Sequence, residues 1–141
     1  MTKKYIESCI GSQMQKYPPY SSKTVEGKQL HAYAKEGNVP ELPVHEVALR
    51  GYRGLAMSEC ARGDIVARAV RLAQTVRGDF RQAEIAAAWK ALENKLPATL
   101  PLLSVTITVS SGFYVRTFAE DFGRTLGTGV CLYSLIRESY I

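Results

Sequence analysis

The stretch SSGFYVRTFAEDFG (110–123) places an arginine, Arg116, in what reads as the first turn of a helix. That end of a helix already carries partial positive charge, so a cation there is disfavoured by a few tenths of a kcal/mol. Two arrangements would offset the cost. Arg116 could pair with Glu120 one turn on, or it could face an anion held beside the Ser-Ser-Gly turn, where backbone N–H groups and small side chains allow close approach. A second stretch with chemical potential is YPPYSSK (17–23). Its prolines set a stiff, extended loop that presents Tyr20 with Lys23 and Lys28 nearby. That combination suits an aromatic platform for a base amid phosphate contacts, and it also suits an ordinary exposed loop.

Other chemistries find no support. Two histidines, His31 and His45, and three scattered cysteines, Cys9, Cys60 and Cys131, have no metal-ligand spacing. Structural roles are the expectation for both histidines. A G-x-S-x-G elbow, a P-loop and a G-x-G-x-x-G are all missing, so no nucleotide cofactor is implied. Odd cysteine usage suits a reducing, cytoplasmic setting. The sequence has no apolar run of membrane length, and residues 1–13 lack the apolar core of a signal peptide. Lysine and arginine outnumber acids 18 to 13, a net +5 that tilts toward a polyanionic partner such as nucleic acid.

The elements that must position these groups follow from periodicity. Residues 1–14 read as helix with no N-terminal strand, and 15–28 as loop. Residues 27–37 read as a short helix, with Leu30, Tyr33 and Ala34 on one face and Gly37 as its stop. Residues 42–55 alternate as a strand. Residues 57–76 fit a helix in their later part but also allow strand. Asp79 with Gln82 resembles a capping box ahead of a helix whose face is Ile85, Trp89 and Leu92, with Trp89 in the core. Residues 101–109 are a β-branched strand. Val115, Phe118, Ala119, Phe122 and Leu126 form one apolar helix face, flanked by Tyr114 and Arg116 and closed by Gly127. GVCLYSLIRESYI (129–141) reads as a final strand. With 141 residues, 46% hydrophobic and 22% charged, the chain is long enough for one cored domain. The expected class is α+β, a mixed β-sheet with flanking helices.

The two chemical stretches, in this order, resemble the TruB-type family of tRNA pseudouridine synthases. QKYPPYSSKTVEGKQLHAYAKEG is similar to the family's Q-x-P-P-x-Y-S-A-x-K region, LPVHEVAL to its P-R-x-V-x-I strand, SSGFYVRTFAEDFGRTLG to S-S-G-T-Y-I-R-S-L-A-E-D-L-G, and CLYSLIRE to L-x-x-L-R-R. The resemblance implies an enzyme that detaches a T-loop uracil of tRNA from its ribose, rotates it and rejoins it through carbon, without a metal or organic cofactor, on a base flipped from its stack. It implies that Tyr20 stacks on the target base and that Tyr114 is a second active-site tyrosine. Arg116 then pairs with a catalytic aspartate and keeps it ionised, Leu135 packs against the flipped uracil, and Arg137 serves that wall or the RNA backbone. Lys23 and Lys28 are the expected phosphate contacts.

There are departures. P-P-x-Y is shifted by one to Tyr17-Pro18-Pro19-Tyr20, with the Gln15-to-Tyr20 distance kept, and the arginine pair is reduced to Ile136-Arg137. The family's G-x-L-D-P motif has no counterpart: Asp64, Asp79 and Asp121 are the only aspartates and none precedes a proline. Residues 1–141 therefore read as the C-terminal portion of such a catalytic domain, lacking its N-terminal strands and its acid. Three readings follow: a partial synthase, an inactive tRNA-binding protein, or a half-domain that associates with a missing N-terminal half or another chain through an exposed sheet edge.

Overall fold

In the computed structural model, which describes residues 1–139, the chain opens with a short helix, α1 (Thr2–Ser8), and passes at once into a strand, β1 (Gly11–Lys16). The expected helix through residue 14 is thus corrected to helix, then strand. Gln13 and Gln15 turn inward on β1 while Ser12, Met14 and Lys16 face solvent. The alternation is carried by glutamines, so a search for apolar periodicity misses it. After the proline loop, β2 (Thr24–Val25) and β3 (Lys28–Gln29) form a tight hairpin. Glu26 and Gly27 both take positive φ there, 51° and 79°, as a type I′ turn demands. The next helix, α2 (Leu30–Glu36), buries Leu30 completely and ends at Gly37 in the left-handed conformation, as its pattern predicts.

A long strand, β4 (Val44–Ala61), pairs antiparallel with β1, in a register running from Gly11 opposite Leu49 to Lys16 opposite Val44. Its strand character continues to residue 61. Only then does α3 (Arg62–Thr75) begin, which divides the ambiguous 57–76 stretch between the two options. Next come α4 (Gln82–Leu92), a single 3-10 turn at Glu93–Lys95, β5 (Thr99–Val109) and α5 (Val115–Leu126). The sheet order is β1-β4-β5. β5 runs antiparallel to β4, with Ser110 beside Ala48 and Leu102 beside Ser58. The α+β class stands. The sheet expected to be mixed is antiparallel, with one parallel bridge between Ile10 and Leu49.

The chain divides into two compact units, Met1–Arg53 with Ile107 onward, and Gly54–Thr106. In the second, α3 and α4 pack side by side, and the buried positions are Val66 and Ala86. The expected Ile85, Trp89 and Leu92 face is not the core face. Ile85 and Leu92 are exposed and Trp89 is half-buried, because a two-helix pair has room to cover only the small side of α4. Asp79 does not cap α4 either. The helix starts three residues beyond it at Gln82, with Arg81 as its N-cap and no side-chain cap bond, and the Gln82 amide instead ties down the loop before the helix. Its oxygen accepts from the Phe80 N–H at 3.0 Å and its nitrogen donates to the Val76 carbonyl at 3.0 Å.

The first unit has the larger core: Ile6, Leu30, Val47, Leu49, Phe118 and Phe122. Phe118 and Phe122 are the centre of the expected α5 face. Tyr5 of α1 lies against both, with ring centroids 6.0 and 5.0 Å away. Each such buried aromatic contributes about 1.5–3 kcal/mol relative to exposure. Burial pushes the Tyr5 phenol up to about 12, with its hydrogen bond to Cys9 adding to the effect. Gly127 ends α5 at φ +70°, and the Thr128 N–H bonds back to the Gly123 carbonyl at 3.0 Å. The reversal lays residues 128–130 onto Gly123, where a Cβ would come within 2.8 Å of the Thr128 carbonyl oxygen. From there the expected final strand does not form within the described residues. Leu132, Leu135 and Ile136 are exposed there, while Tyr140 and Ile141 lie outside the description.

Candidate functional site

The turn between β5 and α5 is built by side chains that continue sheet pairing where the strand itself has ended. Ser110 pairs twice with Ala48: its N–H donates to the Ala48 carbonyl at 2.9 Å and its Oγ accepts from the Ala48 N–H at 2.8 Å. Two residues on, the Gly112 carbonyl accepts from His45 Nε2 at 2.8 Å. Two further on, Gln15 clamps the Tyr114 backbone. Gln15 Oε1 accepts from the Tyr114 N–H at 2.7 Å, and Nε2 donates to the Tyr114 carbonyl at 3.0 Å. Gln15 and His45 are register partners on β1 and β4, so one cross-strand pair fixes the turn at two points. Gly112 supplies the left-handed φ of +80° that lets the turn close.

This clamp sets Tyr114 as the N-cap of α5, half-buried, in an aromatic cluster. Tyr17 stacks on His45 with centroids 4.1 Å apart and planes 25° apart. Tyr114 meets Tyr17 edge-on at 5.6 Å and His45 at 5.9 Å. Lys23 Nζ sits 5.4 Å from the centre of the Tyr17 ring, within cation–π range.

The proline loop is anchored at both ends. The Tyr17 N–H donates to the Pro43 carbonyl at 3.0 Å, and the Leu30 N–H to the Lys23 carbonyl at 2.8 Å. Pro18 and Ser21 are buried, and His31 holds the Ser21 carbonyl from its backbone N–H at 3.0 Å. Tyr20 stands at the middle of this anchored loop, 49% exposed. Among the described residues it makes no ring contact, so the loop presents it to solvent.

Arg116 is exposed in the first turn of α5 and forms no ion pair among the described residues; Glu120 is not within ion-pair reach. The two line the same shallow cleft of about 310 Å³, together with Ala119, Val130, Cys131 and Leu132. The fold-back onto Gly123 brings the last three to α5. Of the aspartates, Asp121 is paired with Arg124 at 2.6 Å. Asp64 lies in the first turn of α3 and Asp79 in the loop before α4, both in the other unit.

The remaining candidates are dispersed. Lys28 pairs with Glu36 at 2.5 Å and lies over the Tyr33 ring at 4.7 Å, on the β2–β3 hairpin. Leu135 and Arg137 are exposed on the tail after α5. The structure thus gathers Tyr114 and Lys23 around Tyr17 and His45, and sets Arg116 one turn into the helix that Tyr114 caps. Tyr17 and the Gln15 clamp are additions to the set read from sequence. Gln15 entered that reading only as a spacing mark, and Tyr17 only as the residue displaced from a proline position.

No family model matches the chain. Comparison with curated proteins finds tRNA pseudouridine synthase B from Cupriavidus taiwanensis, 28% identical over 132 residues, which is 94% of this chain and 30% of that protein. The enzyme of the same name from Desulfotalea psychrophila is 28% identical over 141 residues, covering 94% of this chain and 41% of its own. That from Dehalococcoides mccartyi is 31% identical over 105 residues, 74% of this chain and 30% of its own. This chain therefore spans well under half the length of these relatives. The β5–turn–α5 motif and the matches agree: the chain is homologous to the TruB-type tRNA pseudouridine synthases, as a part of them.

Proposed function

We propose that this chain forms the tyrosine-and-arginine side of a pseudouridine synthase site that acts on a uridine in the T-arm of tRNA. One observation carries the reading. Arg116 stands at the N-terminal end of α5, exposed, without an ion pair among the described residues, two positions after a tyrosine whose backbone is clamped on both sides. A cation held there calls for an anion, and in this reaction the anion is a carboxylate. Isomerisation breaks the bond between uracil N1 and ribose C1′, turns the base, and forms a bond from C5 to C1′. The C5 proton is lost and N1 gains one, so the atoms balance without cofactor. In this assignment Arg116 holds the carboxylate ionised, Tyr114 lines the base, Tyr20 stacks on it, and Lys23 meets phosphate. Leu135 and Arg137 reach the RNA from the tail.

A second reading, tRNA binding without catalysis, draws on the pairing of Asp121 with Arg124 and on the membership of Asp64 and Asp79 in the other unit. The deciding experiment uses a T-arm RNA with tritium at C5 of uracil. Tritium release by the chain, lost on Asp→Asn change at one of its aspartates, means that it carries its own acid. Tight binding with steep salt dependence but no release supports the second reading. Neither release nor binding would sink both.

A further inference from the structure

We propose that His45 is a positioning residue that locks the Tyr17 loop and the Tyr114 turn into one block, so that the two aromatic segments of the site hold a fixed separation. The argument begins with its ring nitrogens. Nε2 lies 2.8 Å from the Gly112 carbonyl oxygen, which can only accept, so Nε2 carries the proton. Nδ1 keeps its lone pair and is buried with no hydrogen-bond partner among the described residues. A buried, unpartnered acceptor costs stability, and a strand position half-exposed to water does not otherwise call for a histidine. What the histidine supplies is a planar ring with an N–H at its far tip. The flat face stacks on Tyr17 at 4.1 Å, the edge meets Tyr114 at 5.9 Å, and the tip reaches across to the turn. No aliphatic residue stacks, no phenylalanine donates, and asparagine is too short to reach Gly112. Because Lys23 lies over the Tyr17 ring, the block carries a loop cation at one end and the turn tyrosine at the other. The inference rests on the proposed function only in calling Tyr114 a site residue; the lock itself is geometric.

The test therefore reads the turn directly and needs no RNA. Two-dimensional nitrogen spectra of the imidazoles should show His45 as a pyrrole-like Nε2 and a pyridine-like Nδ1, without tautomer averaging. Amide hydrogen exchange then compares three chains. H45F keeps the stack and loses the donor. In it, the Tyr114 amide should exchange about five-fold faster, the worth of one net hydrogen bond, while the Val47 and Leu49 amides are unchanged. H45Q places a side-chain N–H where Nε2 stood, and should return the Tyr114 rate to within about two-fold of the parent. A merely structural role would slow or speed all three amides together and would not be rescued by glutamine. An unchanged Tyr114 rate in H45F, or a Tyr114 rate that rises equally in H45F and H45Q, overturns the proposal. T-arm RNA binding by the parent chain is scored separately. Its failure would count against the proposed function and leave the exchange result to decide the lock.

Discussion

Gln15 is the most exacting test of how this site is held. Its side chain is 3% exposed and makes two hydrogen bonds to a single residue 99 positions away. Gln15→Leu keeps the volume and removes both bonds. Two net bonds at about 1 kcal/mol each, plus partial penalties for the Tyr114 N–H and carbonyl left in a half-buried turn, give about 2–4 kcal/mol. Set against a total of about 5–15 kcal/mol for a domain, that is a large fraction. Urea unfolding at pH 7 should show the midpoint falling by about 1–2 M with an unchanged slope. Gln15→Glu sharpens the logic. It keeps the acceptor for the Tyr114 N–H but turns a second oxygen toward the Tyr114 carbonyl, where the native amide donates. Burial and that oxygen raise the introduced carboxyl's folded pKa above the unfolded value of about 4.3. The contribution of the protonated form is then fully present below the unfolded pKa and is lost as pH rises through the folded one. Gln15→Glu should thus come closest to the parent at about pH 4 and fall furthest short at neutral pH. A Q15L loss below about 0.5 kcal/mol, or a Q15E stability that tracks the parent across that range, would refute the clamp.

Other expectations follow from the same geometry. Gly123→Ala gains about 1 kcal/mol in helix propensity but drives a methyl against backbone atoms 2.8 and 2.9 Å away, an overpacking cost of about 1–3 kcal/mol; thermal unfolding should show a net loss, and a raised Tm would contradict the fold-back. In an ultraviolet titration Tyr5 should ionise near 12 rather than its ordinary 10.0. The stability tied to its neutral phenol is complete below pH 10 and disappears as pH rises through about 12, and Tyr5→Phe should remove that alkaline dependence. If the chain supports uridine isomerisation, Arg116→Met should abolish most tritium release while leaving T-arm affinity within about three-fold, since the arginine orients a carboxylate rather than gripping RNA; an active variant would end that role. Tyr20→Ala should weaken T-arm binding by about 1–3 kcal/mol and Tyr20→Phe far less if stacking is its task; equal losses would point to the hydroxyl.

Local grammar was enough for several parts of this molecule. A β-branched run, a Ser-Ser-Gly turn and a 3.6-residue apolar stripe specify β5, the turn and α5 from residues that are neighbours in the chain. Arg116 and Tyr114 inherit their places from that grammar. Gly37 and Gly127 mark helix ends because only glycine enters the left-handed region freely. Where the pattern misled, the cause is equally physical. β1 alternates glutamines, not apolar residues, and so looks like nothing in particular. The tail after α5 has strand-like composition but joins no strand within the described residues, and strand composition without ladder pairing is not a sheet. Asp79 has capping chemistry but lies three residues short of the helix.

The amino-acid order by itself determined the family likeness, the strand–turn–helix that carries Arg116, and the stiff loop that carries Tyr20. Only the tertiary structure decided that Gln15 and His45 would stand opposite each other and reach a turn 99 and 67 residues further along. Neither residue is remarkable for its local propensity. Their roles come from register: once β1 pairs with β4 and β4 with β5, the backbone groups left unpaired beyond Val109 fall within reach of the two side chains that strand pairing has brought together, and pairing those groups lowers the cost of closing the turn.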